Sequence, residues 1–459
     1  MTGYRGLSVW HDTLEEDLTP RPSLPGSIEA DVAIVGAGYT GLWTAYYLKK
    51  AQPDLRVVVL EAEIAGFGAS GRNGGWCSGE MAGNRDRLGR LHGRPAVVAL
   101  YREMMATVDE VGKVVATEGI DCDFHKGGIL TFATNPAQFI SLQDELQHHR
   151  SWGFGHDDYR WIGQDELSGV ARVRGARGAL FTPHAAAVHP ARLVRGLARV
   201  VEGLGVPIYE QTPAIAFSQG AVATAAGAVR AGSVLRCTEA FTVRLPRQRR
   251  TFIPVYSLML ATEPLPAGLW EQLGLADRQV FNDARHLIIY GQRTADGRLA
   301  FGGRGARYHF GSALNPKFER QPKVHEAVRK ILWSLMPELG STRVTHLWGG
   351  AVAIPRDWRP SVVFDRKSGF GYAGGYVGEG VAASNLAGRT LADLVLRRDT
   401  DLVRLPWVGH IWPKWEPEPL RWLGINAATL LTPMIDGLER RRGRPSRFFA
   451  GALDRLTGR

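Results

Sequence analysis

Cysteine is nearly absent. The chain of 459 residues has three, Cys77, Cys122 and Cys237, far apart and without metal-ligand spacing. So sparse and odd a set excludes a disulfide framework and a cysteine-built metal centre. It points to a reducing compartment, so a cytoplasmic location is expected. Long hydrophobic runs are also missing. The most membrane-like stretch, 32–48, is broken by three glycines and reads as strand, turn and helix rather than as a membrane span. Residues 1–10 lack a cationic start followed by an apolar run, so no secretory leader is expected there. Acidic surplus is lacking too: the formal net charge is +11. That charge is spread, and its clusters at 244–250 and 440–447 belong to no nucleic-acid module. Nucleic acid is therefore not an expected partner. There is no internal repeat and no low-complexity segment.

What is present suffices for a large core. Hydrophobic residues make up 44% and charged residues 22% of the chain, an ordinary globular balance, and the length suits two or three domains. A continuous apolar run at 31–35 predicts a parallel strand buried on both faces. The turn Gly36-Ala37-Gly38-Tyr39-Thr40-Gly41 follows, then a helical stretch at 39–50 and a second buried strand at 56–60 that ends in Glu61. Each part has a physical reason. Gly36 permits the tight turn, Gly38 lets the backbone approach a pyrophosphate, and Gly41 lets helix and strand pack closely. The helix N-terminus offers free N–H groups and a positive dipole end to phosphate. Glu61, 20 residues after Gly41, is placed to accept hydrogen bonds from ribose hydroxyls. The complete strand–turn–helix–strand–acid context makes this a dinucleotide site, and by itself leaves NAD and FAD open.

Further along, 66–79 is glycine-rich, 94–118 helical and 127–133 strand-like. A helix is expected at 190–202, with Pro190 at its first position. Several strands between 252 and 311, with a turn at Ala295-Asp296-Gly297, suggest a mixed or antiparallel sheet. A helix is expected at 322–336 and a second glycine-rich turn entering a helix at 374–396. The chain beyond 407 is rich in Trp, Pro and Arg, without recognisable chemistry.

Several motifs resemble one family. Glu61-Ala62 leading to Gly68-Ala69-Ser70-Gly71-Arg72-Asn73-Gly74-Gly75, and the late segment Tyr372-Ala373-Gly374-Gly375-Tyr376-Val377-Gly378-Glu379-Gly380-Val381, resemble the D-amino-acid, glycine and sarcosine oxidases. Phe181-Thr182-Pro183-His184, His189-Pro190-Ala191-Arg192, Pro254-Val255-Tyr256-Ser257, Ala261-Thr262-Glu263-Pro264-Leu265 and Phe301-Gly302-Gly303-Arg304 are similar to the gamma-glutamylputrescine oxidoreductase-like branch. The resemblance runs from about residue 8 to residue 425. It implies an α/β protein with a discontinuous Rossmann-type FAD-binding domain (29–90, 160–250 and 345–400) and a mixed or antiparallel-sheet substrate domain (91–159 and 251–344). An arm at 1–28 and an extension at 401–459 flank them.

The resemblance also implies FAD as cofactor, held by Gly36, Gly38, Tyr39, Thr40, Gly41, Glu61 and Ala62 at the ADP end. Gly68, Ala69, Ser70, Arg72, Asn73, Gly74 and Gly75 would follow the pyrophosphate and flavin, with Ile215 at the nucleotide. Gly375, Tyr376, Gly378, Gly380 and Val381 would lie near flavin N1 and O2, where dipoles stabilise the charge of the reduced ring. It implies oxidation of a C–N bond in a primary or secondary amine, a polyamine or gamma-glutamyl-polyamine among them, with O2 or another electron acceptor as the second partner. The competing readings are an oxidase or dehydrogenase of small free amino acids and a flavin-binding protein without turnover.

Three residues are candidates on the reacting side. Tyr290 matches a cavity-lining strand tyrosine of sarcosine oxidase-like relatives, or is a core tyrosine. Glu379 stands where such relatives often carry histidine. Trp348 stacks over substrate or packs as a buried indole. Departures matter equally. Ala300 replaces a lysine thought to assist oxygen, with Arg298 and Arg304 as the nearby cations. No cysteine lies in 348–352, so a non-covalent flavin is expected. Ala351 replaces the arginine that clamps a substrate carboxylate in glycine oxidase-like enzymes, unless Arg356 or Arg359 substitutes. His184 and His189 read as structural.

Overall fold

The apolar run at 31–35 is the inner part of the first strand, Ile28–Val35, in a computed structural model that describes residues 3–446 and 451. Helix Tyr39–Ala51 and strand Val57–Leu60 complete the expected βαβ unit. Both strands are fully buried at their inner residues because helices or chain cover both faces of the sheet. Strand Gly227–Arg236 pairs in parallel with Ile28–Val35 on its other side, and Phe370–Gly374 pairs in parallel with Gly227–Arg236. Ser361–Asp365 closes one edge antiparallel, and Ile208–Tyr209 the other in parallel. A short hairpin, Ala216–Ser218 with Ala221–Thr224, leans on Gly227–Arg236 to complete eight strands.

The second sheet also has eight strands. Its order is Val344–Ile354, Ile253–Thr262, Leu299–Gly303, Ile289–Arg293, Val280–Asp283, Ile129–Phe132, Gly178–Thr182 and Arg160–Gly163. All neighbours are antiparallel except Val280–Asp283 with Ile129–Phe132. The α/β class with a Rossmann-type sheet and a second, mixed sheet is therefore the observed fold.

The segment boundaries differ from the sequence reading. Arg160–Gly163 and Gly178–Thr182, expected with the first sheet, pair in the second, and so does Val344–Ile354. Conversely, helix Arg94–Thr117, expected with the second domain, buries Val97, Leu100, Met104 and Val108 in the same core as Trp43 and Leu386 of the first. Apolar periodicity gives the buried face of an element but not which sheet receives it. The basic cluster at 440–447 and the extension 401–459 run partly beyond the described residues: 447–450 and 452–459 lie outside them.

The N-terminal arm is tied down along its length. Arg21 bridges Glu202 and Glu210 at 2.7 and 2.8 Å. Trp10 stacks edge-on against Trp348, with centroids 6.2 Å apart, and its indole N–H donates to the carbonyl of Asn73 at 2.9 Å. Helices Tyr39–Ala51 and Gly380–Val395 cross in close contact, so the two glycine-rich turns are fixed side by side. At Gly388 a Cβ would lie 2.6 Å from Trp43 Cβ, and neither backbone has room to give. Gly388→Ala should cost about 1–3 kcal/mol through overpacking. Urea unfolding followed by tryptophan fluorescence checks this, and an unchanged midpoint would contradict so tight a crossing.

Candidate active site

The carboxyl edge of the first sheet carries the nucleotide turn. Gly36 has φ +108°, and a Cβ there would lie 2.5 Å from the Cys237 carbonyl oxygen. At Gly41 it would lie 2.0 Å from the carbonyl oxygen of Gly36. At Gly38 it would meet Ser70 Oγ at 2.9 Å, the atom that accepts the Tyr39 N–H at 2.9 Å. The helix N-terminus and the 68–75 loop are thus clipped together around a cradle of bare backbone, the shape a pyrophosphate requires.

Glu61 is half-buried at the end of its strand. Its Oε2 accepts the Ala37 N–H at 2.7 Å and its Oε1 the Glu63 N–H at 3.0 Å. Each oxygen retains a lone pair for a hydroxyl donor. Burial pushes its pKa up to about 7, and hydroxyl donors would favour its charged form. Ala62 and Ile215 are exposed, and the Ile215 N–H is bound to the Ala223 carbonyl at 2.8 Å. Both lie outside the main cavity.

The 68–75 loop is shaped by its own side chains. Asn73 Nδ2 donates to the Ala69 and Ser70 carbonyls, while its Oδ1 accepts the Gly75 N–H at 2.7 Å. A Cβ at Gly68 would lie 3.3 Å from the Phe241 ring. Arg72 lines the cavity, but its guanidinium is paired with Glu319 at 2.7 Å. It acts as a loop anchor rather than as a free phosphate ligand. Trp348 is a correction as well. It is buried outside the cavity lining, and its indole N–H donates to the Arg72 carbonyl at 2.9 Å. Its strand turns it toward Trp10 of the arm, so it supports the loop from behind.

The second turn holds Gly374, Gly375 and Gly378 at φ +153°, +74° and +114°. Glu239, which no sequence motif marked, accepts the N–H groups of Gly375 and Tyr376 at 3.0 and 3.2 Å. Those two donors were expected to face the flavin and are engaged instead. Tyr376 OH shares a hydrogen bond with Thr40 Oγ1 at 3.0 Å, joining the two glycine turns. Gly378, Gly380 and Val381 line the cavity at the N-terminus of Gly380–Val395, where helix geometry leaves backbone donors without intrahelical partners.

The cavity spans both sheets and holds about 1240 Å³ of unfilled space, part of it open to solvent. Tyr290 lines it. Its ring lies 2.7 Å from the Cβ position at Gly74 and 2.6 Å from that at Gly302, and its OH pairs with Ser257 Oγ at 2.8 Å. Only glycine at both sites admits the ring. Glu379 lines the same space, and so does Glu80, which sequence reasoning missed. Glu80 follows strand Trp76–Ser78 directly after the glycine-rich loop, a position that could have marked it. Burial, reinforced by the Glu379 charge, pushes the Glu80 pKa up to about 8. Burial also raises that of Glu379, against the opposing pull of Arg304. Arg304 donates to the Val377 carbonyl at 2.5 Å. Arg298 is engaged elsewhere, with Asp296 at 2.8 Å. Ala300 is buried among Met259, Ala261 and Trp348. His184 and His189 are held by Asp158 and Thr13 at 3.1 and 3.0 Å and do not line the cavity.

The family model described as "FAD dependent oxidoreductase" matches residues 31–394. The chain belongs to this family. Among curated relatives, it is 29% identical over 406 residues to the probable oxidoreductase OrdL of Haemophilus influenzae, covering 86% of this chain and 89% of that one. It is 29% identical over 394 residues to the gamma-glutamylputrescine oxidoreductase of Escherichia coli, covering 83% and 87%. Glycine oxidase from Geobacillus kaustophilus shares the fold, with a TM-score of 0.64 at 21% identity over 83% of this chain and 99% of that one.

The cofactor of this flavoprotein is FAD, and the site fits it. The bare cradle at Gly36, Gly38 and Gly41 suits phosphates, the Glu61 carboxylate suits ribose hydroxyls and the helix N-terminus at Gly380 suits the charge of a reduced ring. None of the three cysteines lines the cavity. Acid precipitation should therefore release all yellow colour as free FAD into the supernatant. Glu61→Ala should weaken FAD retention by about 1.5–3 kcal/mol per lost charge-assisted hydrogen bond, with the fold preserved. Colour kept in the denatured pellet would disprove non-covalent binding, and an unchanged FAD affinity in Glu61→Ala would misplace the ribose.

Proposed function

We propose that this flavoenzyme oxidises the C–N bond of a primary or secondary amine whose reacting end bears no carboxylate, a polyamine or gamma-glutamyl-polyamine being the fitting class. The observation that carries this is the pair of cavity carboxylates, Glu80 and Glu379, in a space where Ala351 occupies the clamp position. Once ionised, which for Glu80 means above about pH 8, the two acids attract an ammonium and repel a carboxylate, and burying a carboxylate without a partner there would cost several kcal/mol. The two arginines nearest in sequence to the clamp position are engaged elsewhere. Arg356 pairs with Glu416 at 2.9 Å and Arg359 with His92 at 3.1 Å. The likeness to gamma-glutamylputrescine oxidoreductase supports the same class.

FAD, when bound, would supply the two-electron acceptor for a hydride equivalent from the carbon next to nitrogen. The chain does the rest. Tyr290, held by Ser257 and bracketed by Gly74 and Gly302, forms a rigid wall that aligns the C–H bond. The substrate arrives as an ammonium and must become neutral before it reacts. Glu80, with its pKa near 8, is basic enough to take that proton once ionised. The imine product then hydrolyses.

The sign of the pH dependence follows. Glu80 is protonated below its raised pKa and gains its charge above it, so kcat/KM for amines should rise through about pH 8. Glu80→Gln should remove that inflection. It should also lower kcat/KM by about 10²-fold or more, the lower end of what a positioned acid–base group contributes. A pH profile that stays superimposable on the unsubstituted one would reject Glu80 as the proton acceptor.

A second reading, oxidation of small free amino acids, is favoured by one observation: Arg304 lines the cavity beside Glu379. Anaerobic bleaching of the flavin separates the two. Diamines and gamma-glutamyl-diamines should bleach it far faster than glycine, sarcosine or D-alanine. Efficient bleaching by the small amino acids, lost in Arg304→Ala, would establish the second reading instead. A flavin that no amine or amino acid bleaches would leave a binding protein without turnover.

A further inference from the structure

No described residue of the C-terminal extension lines the flavin cavity, although Trp412 packs against the second glycine turn at Gly375. The main element of the extension is the helix Leu420–Arg442, of 23 residues. One face is docked with polar precision. Asn426 exchanges two hydrogen bonds with the Tyr308 backbone, both 3.1 Å. Asp436 accepts the N–H groups of His286 and Leu287 at 2.8 and 3.1 Å, and Glu439 pairs with His286 at 3.1 Å. These contacts set the rotation of the helix and therefore decide what faces outward.

What faces outward is apolar. Leu420, Leu423, Leu430, Leu431 and Met434 are 63, 54, 57, 43 and 61% exposed. They recur at helical spacing, so they form one stripe. Both acids of the helix, Asp436 and Glu439, are turned inward, so nothing negative interrupts it. The stripe runs into Arg440, Arg441 and Arg442 in the last turn, with Arg444 just beyond, all exposed. Arginines in a last turn complement the helix dipole. That accounts for the charges and leaves the exposed leucines unexplained.

We propose that this face docks on an anionic lipid surface, with the leucine stripe entering the headgroup–acyl boundary and the arginines meeting the phosphates. An amphipathic helix with an uncharged apolar face and a cationic end is built for that boundary. A second copy of the chain is the poorer occupant. Stripe-on-stripe pairing across a twofold axis sets the arginines of one helix against the Leu420 end of the other. The acids there, Glu416 and Glu418, are already held by Arg356 and Arg421 at 2.9 Å each. An apolar cavity behind the helix is lined by Ile425, Ala428 and Thr432 on one side and by Ile288 and Arg304 on the other. The last two also line the flavin cavity.

The test uses the FAD-loaded full chain and phosphatidylcholine vesicles with or without phosphatidylglycerol. Co-sedimentation should favour the anionic vesicles roughly tenfold and weaken with salt. The triple substitution Leu423→Ser, Leu430→Ser and Met434→Ser should abolish binding. Replacing Arg440, Arg441 and Arg442 by alanine should remove the preference for anionic lipid. Both variants should keep the flavin spectrum, which separates docking from folding and from the amine reading. Failure to bind anionic vesicles, or binding that both variants retain, would overturn the proposal. So would a dimer in sedimentation velocity that the serine variant dissociates, because the stripe would then be a subunit interface.

Discussion

The whole arrangement hangs on a cradle of bare backbone of the shape a pyrophosphate requires. A Cβ at each of its three glycines would meet a different neighbour: the Cys237 carbonyl at Gly36, Ser70 Oγ at Gly38 and the Gly36 carbonyl at Gly41. Because Ser70 belongs to the 68–75 loop, the contact that opens the cradle also fixes the chain that must run along the cofactor. Tyr376 to Thr40 then ties the second glycine turn to the first. The crossing at Gly388 and Trp43 holds the two helices that present these turns. The arm residue Trp10 and the strand residue Trp348 brace the loop from behind by hydrogen bonds to the Asn73 and Arg72 carbonyls.

Charge is distributed with a consistent sense. The arginines near the site are mostly taken up by local partners: Arg72 by Glu319, Arg298 by Asp296 and Arg356 by Glu416. The carboxylates Glu80 and Glu379 meet in the cavity with their acidity weakened by burial. Arg304 lines the same space and opposes the rise at Glu379. Glu239 adds a separate device. It stands at φ +40°, an uncommon conformation for a non-glycine residue, and its carboxylate grips the Gly375 and Tyr376 N–H groups. Strain of this order persists only where surrounding contacts over-determine it, and here those contacts are the second glycine turn.

Much of this was legible in the chain. The βαβ unit, its glycines and Glu61 could be read because each obeys a local rule: a buried parallel strand is a short apolar run, a tight turn needs positive φ, and a ribose acid ends the second strand. The mixed character of the second sheet was readable from turn chemistry between strands. Tyr290, Glu379 and Ala351, singled out by resemblance, all line the cavity. The three cysteines are free and buried, and among the described residues no helix is long and apolar enough to cross a membrane.

Other features had no local signal. Arg72 and Trp348 are ordinary residues until Glu319 and the Arg72 carbonyl are brought to them from far along the chain. Glu80 and Glu239 gain significance only beside Glu379 and the second glycine turn. Strands Arg160–Gly163, Gly178–Thr182 and Val344–Ile354 carry an alternation compatible with either sheet, and long-range pairing chose the second. The sequence by itself determined which backbone conformations were possible and where the bare cradle forms, because those depend on residues within one βαβ unit. Only the tertiary structure decided which acids share the cavity, which arginines are neutralised and which face of the last helix is left uncovered. Those outcomes depend on contacts between residues tens to hundreds of positions apart.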